Sequence, residues 1–199
     1  EILGDFLITH YTMPLESDPF FDKGSDPLYD EDPDSIYSPV SSSWADPYVN
    51  VKIFNETTGQ IEYHRHIYDF VYNLPNGVAK QGTGITQDGQ YISVEYNLSN
   101  IYGPVDEMTF VYREGGSCGL HQNAWKTVAS RDSRLACGDT VMIDAYPGVE
   151  FTVTDTGSQL KESGQLDVFV GPMNWSDYYA KFPNGSDYIH SRVTKVGSP

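Results

Sequence analysis

One stretch, Phe151 to Gly171 (FTVTDTGSQLKESGQLDVFVG), constrains the fold more than any other. Two strand-forming runs flank a polar connection that carries Gly157 and Gly164. Residues two apart share a face of a strand. Phe151, Val153 and Asp155 therefore line one side of the first run. In the second, Asp167 and Phe169 share a side, while Leu166, Val168 and Val170 take the other. Folded as a hairpin with its loop near Gly157 to Gly164, the stretch puts Asp155 last in one strand and Asp167 near the start of the next. Both carboxylates then stand at one loop end, each on an apolar-bordered face. A carboxylate so placed is either paired or has its pKa pushed above the ordinary value of about 3.9, which is how a general acid is made. Asp-Thr-Gly by itself is common turn chemistry, because Asp caps its own backbone and Gly supplies a positive φ. The whole string is what points to a site.

That string, with Val153, Asp155, Thr156, Gly157, Ser158, Leu160, Lys161, Leu166, Asp167, Val168 and Phe169 in place, resembles the signature of the three-aspartate (3D) domain. The membrane-bound lytic transglycosylase A family and the Sps/RpfB-type stationary-phase proteins share that domain. Three further stretches are similar to elements of the same families. Thr9-His10-Tyr11-Thr12 resembles the group that ends their first strand, and Gln81 to Tyr91 resembles a stretch with a G-x-T-x-x-G element, carrying Thr86. Val128 to Ile143 resembles the run that holds their first aspartate; direct alignment sets Arg131 there, and a shift of one residue brings Asp132 to the position.

The resemblance implies an all-β fold, a six-stranded double-psi β-barrel with a long insertion in the N-terminal half, residues 13–80 of a single catalytic domain spanning 1–199. Short strands and frequent turn residues with little helical period agree with a barrel. It also implies a lytic transglycosylase that cleaves the β-1,4 bond between N-acetylmuramic acid and N-acetylglucosamine in peptidoglycan, leaving a 1,6-anhydro product. Asp167 aligns with the acid/base and Asp155 with its partner. Tyr11, Thr12, Thr86, Asp132 and Lys161 fall to substrate binding. Such chemistry needs neither metal nor organic cofactor. Two other readings stay open: a non-catalytic carbohydrate-binding barrel like expansins and barwins, and a small double-psi endoglucanase.

The chain has 199 residues, enough for one domain with a sizeable core. Its formal charge of −16 leaves no basic stripe to displace counterions, so nucleic acid is not an expected partner. No run of 18 apolar residues exists to span a bilayer. The start at Glu1, without methionine, suggests a removed signal peptide and a secreted or cell-envelope protein; a monomer is expected. Cys118 and Cys137 are the two cysteines. A secreted setting favours a disulfide between them, stabilising by roughly 3 kcal/mol through loop closure, with two buried thiols as the alternative.

Met13 to Asn50 differs in kind. Asp-Pro pairs recur at Asp18-Pro19, Asp26-Pro27, Asp32-Pro33 and Asp46-Pro47, and acidic residues crowd Glu16 to Asp34. Proline blocks helix and central strand, so a solvated acidic loop is expected rather than a cation site, since the spacing is not that of an EF-hand. His64 and His66, two apart, share a strand face without an evident third metal ligand.

Overall fold

The computed structural model describes residues 1–21, 48–73, 76–100, 104, 107–157, 160, 163–183 and 188–199. In chain order the elements are β1 (Ile2–Tyr11), β2 (Tyr48–Asn55), β3 (Gln60–Ile67), α1 (Tyr68–Tyr72), α2 (Val78–Gln81), β4 (Thr83–Ile85), β5 (Tyr91–Val94) and β6 (Thr109–Val111), followed by β7 (Thr127–Ser130), β8 (Thr140–Ile143), β9 (Glu150–Asp155), β10 (Gln165–Phe169), α3 (Trp175–Lys181) and β11 (Ile189–Gly197). No described helix is long and apolar enough to cross a membrane. The chain divides into two compact units: Glu1–Thr12, Gly115–Pro172 and Asp177–Pro199 form the first, Met13–Glu114 and Met173–Ser176 the second.

The first unit holds a closed barrel with strand order β1-β10-β7-β9-β8-β11. Its pairings are antiparallel except for β1 with β10 and β7 with β9. These two parallel pairs belong to the crossed connections of the double-psi barrel, as expected from the sequence. Alternation fills the interior: Phe6 and Ile8 of β1, Val128 of β7, Val141 and Ile143 of β8, Phe151 and Val153 of β9, Leu166 and Val168 of β10 and Val193 of β11 make one buried cluster. Closure of the sheet leaves no unpaired edge, so short strands of four or five residues suffice for β7, β8 and β10.

One local expectation is overturned. β9 and β10 do not pair as a hairpin, because β7 lies between them. Each pairs with β7 instead, β9 parallel to it and β10 antiparallel. The carboxylates are therefore set side by side across a third strand, not across a hairpin.

The second unit carries a five-stranded sheet of order β3-β2-β6-β5-β4. The expected insertion over 13–80 falls within this unit, which runs on to Glu114. Most of the Asp-Pro repeats lie outside the described residues, but the first acidic residues do not behave as solvated charge. Glu16 is buried and accepts the backbone N–H groups of Ile67 and Gln87 as well as a bond with His66 Nδ1 at 3.1 Å. Asp18 is buried too; its two oxygens accept the N–H groups of Phe20 at 2.9 Å and Trp175 at 2.6 Å. Both carboxylates satisfy backbone donors that strand and helix ends leave over. His66 and His64 are spent separately. His66 Nε2 meets the Tyr112 hydroxyl at 2.7 Å, and His64 meets Glu62 at 3.2 Å. Among the described residues no group of three or more His, Cys, Asp or Glu could hold a metal ion.

Cys118 and Cys137 are bonded. Thiol titration of the unfolded, unreduced protein is expected to read near zero; two titratable thiols would contradict the link.

Candidate active site

Register builds the site. Thr9 of β1, Asp167 of β10 and Ala129 of β7 are direct partners in neighbouring strands, and Ala129 is in turn the partner of Asp155 of β9. Leu166 and Val168 point into the barrel, so Asp167 points out of it. Simple alternation would put Asp155 on the inner side with Phe151 and Val153. It does not stay there. The β7–β9 register shifts between Val128 and Ala129, so that Val153 pairs with Val128 but Asp155 with Ala129. This bulge, one extra residue in β9, re-aims Asp155 to the outer face. Ala129 is the small residue between the two carboxylates, and no bulkier side chain separates them.

The two acids have different surroundings. Asp167 is half-buried, but its Oδ1 has no exposed surface and no hydrogen-bond partner among the described residues. Loss of hydration pushes its pKa up to about 7; the charge of Asp155 adds to this, and hydrogen bonding with Thr9 opposes it. Asp155, in contrast, accepts through Oδ1 the backbone N–H of Thr156 at 2.7 Å and that of Ser117 at 2.9 Å. The two acids thus stand in unlike surroundings, Asp167 desolvated and able to hold a proton near neutrality, Asp155 bound to two backbone donors.

Tyr11 completes the outer face. It follows Thr9 by two residues on β1, stacks at a tilt on Phe169 with ring centroids 5.2 Å apart, and donates to Gln122 Oε1 at 3.4 Å. Burial, followed by the charges of Asp155 and Asp167, raises its pKa well above the usual phenol value, so it stays a neutral donor. Gln165 donates to Thr9 Oγ1 at 3.3 Å from the next position on the same face of β10.

A loop closes over the β9 end. Ser117 Oγ meets Thr156 Oγ1 at 2.9 Å and accepts the Thr156 N–H at 2.9 Å. Gly157 has φ +55°, and a Cβ there would stand 2.8 Å from Leu160, so the Asp-Thr-Gly turn requires glycine. A cleft of about 500 Å³ lies further along the outer wall of β7, β9 and β8, where Thr127, Thr152 and Thr140 are neighbours in register; neither aspartate lines it.

The other expected site residues fall elsewhere. Thr12 is buried and donates to the Gly171 carbonyl at 2.7 Å, which ties the end of β1 to the end of β10. Thr86 belongs to the second unit, where its hydroxyl bonds the Asp88 carboxylate and caps a turn by accepting the Gln90 N–H at 3.0 Å. Lys161 lies outside the described residues. Asp132 is buried, with both oxygens taken: Oδ1 by the Arg134 N–H at 3.0 Å and Nε at 2.8 Å, Oδ2 by Arg134 at 2.6 Å and the Gly164 N–H at 3.0 Å. The Arg134 guanidinium holds its pKa well below the usual carboxylate range. Asp132 therefore anchors the crossover at Gly164, and its hydrogen-bonding capacity is spent inside the loop.

Asp132→Asn leaves Arg134 and Gly164 poorly matched at a buried position and is expected to cost about 2 kcal/mol at neutral pH. A carboxyl with a depressed folded pKa contributes stability above its unfolded value of about 3.9 and loses it as pH falls further. The gap between mutant and wild type, read by denaturant unfolding, should therefore close in strong acid. A gap independent of pH would contradict the ion pair.

Thr9, Gln122 and Ser117 were not assigned to the site from sequence. Thr9 had a signal, the same two-residue alternation that brings Tyr11 to the outer face. Gln122 and Ser117 had none, because they reach the site from a segment without regular secondary structure.

No protein-family model matches the chain, and no curated protein sequence does. Solved structures do. E. coli MltA with bound chitohexaose is similar over 98% of this chain and 73% of that one, at 12% identity and a TM-score of 0.50. A lytic transglycosylase of Burkholderia pseudomallei, LtgG, is similar over 97% of this chain and 73% of its own, at 12% identity and a TM-score of 0.42. Another structure of MltA from Escherichia coli, described as a unique lytic transglycosylase fold, covers 98% of this chain and 72% of its own at 13% identity and a TM-score of 0.44. At 12% identity the likeness to the chitohexaose-bound MltA structure speaks for the fold alone.

Proposed function

We propose that this chain is a peptidoglycan lytic transglycosylase with a single carboxylic acid, Asp167, as acid and then base. The observation that carries the reading is the Asp167 carboxyl: desolvated, facing a second acid across Ala129, and so pushed up to a pKa of about 7. A group of that pKa can protonate a leaving oxygen and take a proton back at neutral pH with little loss either way. In the first step Asp167 gives its proton to the glycosidic oxygen between N-acetylmuramic acid and N-acetylglucosamine as the bond to the anomeric carbon breaks. The resulting carboxylate then removes the proton of the muramic 6-hydroxyl, whose oxygen attacks the same anomeric carbon and closes the 1,6-anhydro ring. An intramolecular nucleophile gains a large effective molarity, so no second carboxylate is needed to activate water. Asp155 keeps the proton affinity of Asp167 high, and the Tyr11 ring stands on the same face with its O–H held by Gln122. The disulfide fits an oxidising, extracytoplasmic setting, where peptidoglycan is found.

Asp155→Asn keeps size and hydrogen bonding but removes the negative charge. Asp167 should then lose its proton at lower pH. The alkaline limb of the pH–rate profile is expected to move down, with a smaller loss at the optimum than removal of Asp167 causes. An unmoved limb would take Asp155 out of the tuning role.

Gels cast with peptidoglycan or with cellulose test the substrate class. Clearing on peptidoglycan alone is expected. Clearing on cellulose would favour the endoglucanase reading, and binding to either polymer without clearing would favour the expansin-like one.

A further inference from the structure

The two aspartates are held by strands, but the partners of Asp155 and Tyr11 outside the barrel come from one short segment, 115–122. Ser117 gives its N–H to Asp155 Oδ1 at 2.9 Å, and its hydroxyl exchanges bonds with Thr156 at 2.9 Å. Gln122 accepts from the Tyr11 hydroxyl at 3.4 Å and returns Nε2 to the Gly115 carbonyl at 3.3 Å, closing the segment on itself. The fold of this loop has little slack. Gly116 has φ +114°, and a Cβ there would meet Gln122 Nε2 and the Thr154 carbonyl, each at 2.9 Å. Yet the segment has no regular secondary structure. Its covalent hold on the barrel is Cys118, adjacent to Ser117 and bonded to Cys137 in the connection between β7 and β8.

We propose that Ser117 and Gln122 are positioning residues for the acid pair, that the Cys118–Cys137 link keeps them in place, and that reduction of this link switches the site off. This rests on the reading of Asp167 as the acid/base. Cys137 is exposed, so a small dithiol can reach it. In thiol–disulfide exchange the dithiol's two sulfur atoms become a disulfide, while Cys118 and Cys137 each take up one electron and one proton as thiols. The loop then gains the freedom that the cross-link denied it. Ser117 leaves Asp155, which keeps only the Thr156 N–H of its two backbone donors and can turn toward solvent. The titratable groups whose charge bears on Asp167 are Asp155 from β9, directly, and Tyr11 from β1, which is neutral over the working range. With Asp155 turned away, Asp167 holds its proton less tightly. A misplacement on the order of 1 Å at a catalytic group costs about 10²-fold in rate, so a visible loss is expected without any change in the barrel.

The test compares the full-length oxidised protein with protein reduced by dithiothreitol and capped with iodoacetamide, and with the Cys118→Ser/Cys137→Ser double variant, which carries no bulky caps. Two readouts are taken. On purified peptidoglycan the reduced and double-variant forms should turn over at least about tenfold more slowly, with the alkaline limb moved to lower pH. By carboxyl carbon NMR, Asp167 should titrate at lower pH in both forms than in the oxidised protein, while near-ultraviolet circular dichroism shows the barrel still packed. Identical Asp167 titration in oxidised and reduced protein would overturn the proposal. If the oxidised protein releases nothing from peptidoglycan, the transglycosylase reading fails, and the carboxyl titration still decides whether the link positions the pair. Ser117→Pro, which removes the N–H donor while leaving the disulfide intact, should reproduce the shift; a normal Asp167 titration in that variant would also count against the proposal.

Discussion

Asp167→Asn is expected to lower turnover on peptidoglycan by about 10²–10⁴-fold, the usual contribution of a general acid, while the protein stays folded. The amide matches the carboxyl in size, and the side chain stands on the outer face beside Ala129, so packing is not disturbed. What is lost is the proton at the glycosidic oxygen and the base that later receives one from the 6-hydroxyl. Because both steps use the same group, kcat should fall with little change in KM. A loss confined to KM would make Asp167 a binding residue instead. Wild-type turnover in the variant would remove it from the chemistry.

The same substitution is expected to raise stability at alkaline pH, and the sign follows from the direction of the shift. A carboxyl with a raised folded pKa is bound more tightly by protons in the folded state. Its burial is therefore tolerated at low pH and becomes costly as pH rises from the unfolded value of about 3.9 through the folded one. With the folded value at about 7, the cost in wild type reaches at most about 4 kcal/mol above that pH. Asn carries no charge at any pH. Asp167→Asn should thus melt higher than wild type near pH 8, and the difference should vanish near pH 4. Equal melting curves at both values would mean that Asp167 is ionised in the folded protein from the start, and so not a proton donor. The buried Asp132 behaves in the opposite way, contributing stability that fades in acid. Two aspartates of one unit thus give opposite slopes, and local surroundings decide which.

How far the sequence discloses this site can be argued from those residues. The barrel was legible because its strands alternate cleanly, as at Phe6 and Ile8 or Leu166 and Val168, and because the Asp-Thr-Gly string marks a strand end. Asp155 and Asp167 were legible as a pair for the same reason. Their geometry was not. A local reading takes two strands joined by a polar connection for a hairpin, since antiparallel neighbours are the common outcome of a short link. Here β7, which ends 20 residues upstream of β9's start, inserts between them, and that choice is made by closure of the barrel, not by the connection. Nor does alternation foresee the bulge that turns Asp155 outward. Asp132 illustrates a different gap: one residue away, Arg131 and Asp132 look interchangeable in alignment, and only the Arg134 fork with the Gly164 N–H shows that Asp132 is a structural anchor. Glu16 and Asp18 belong to an acidic stretch whose composition predicts solvation, yet both are buried because backbone donors converge on them.

The central claim is that one acid, reused as a base, closes an intramolecular ring. Mass analysis of the fragments that the wild-type protein releases from purified peptidoglycan tests this most directly. The account predicts muropeptides ending in 1,6-anhydro-N-acetylmuramic acid, one water lighter than their hydrolytic counterparts, and none from Asp167→Asn. Release of hydrated, reducing-end sugars by the wild type would contradict it.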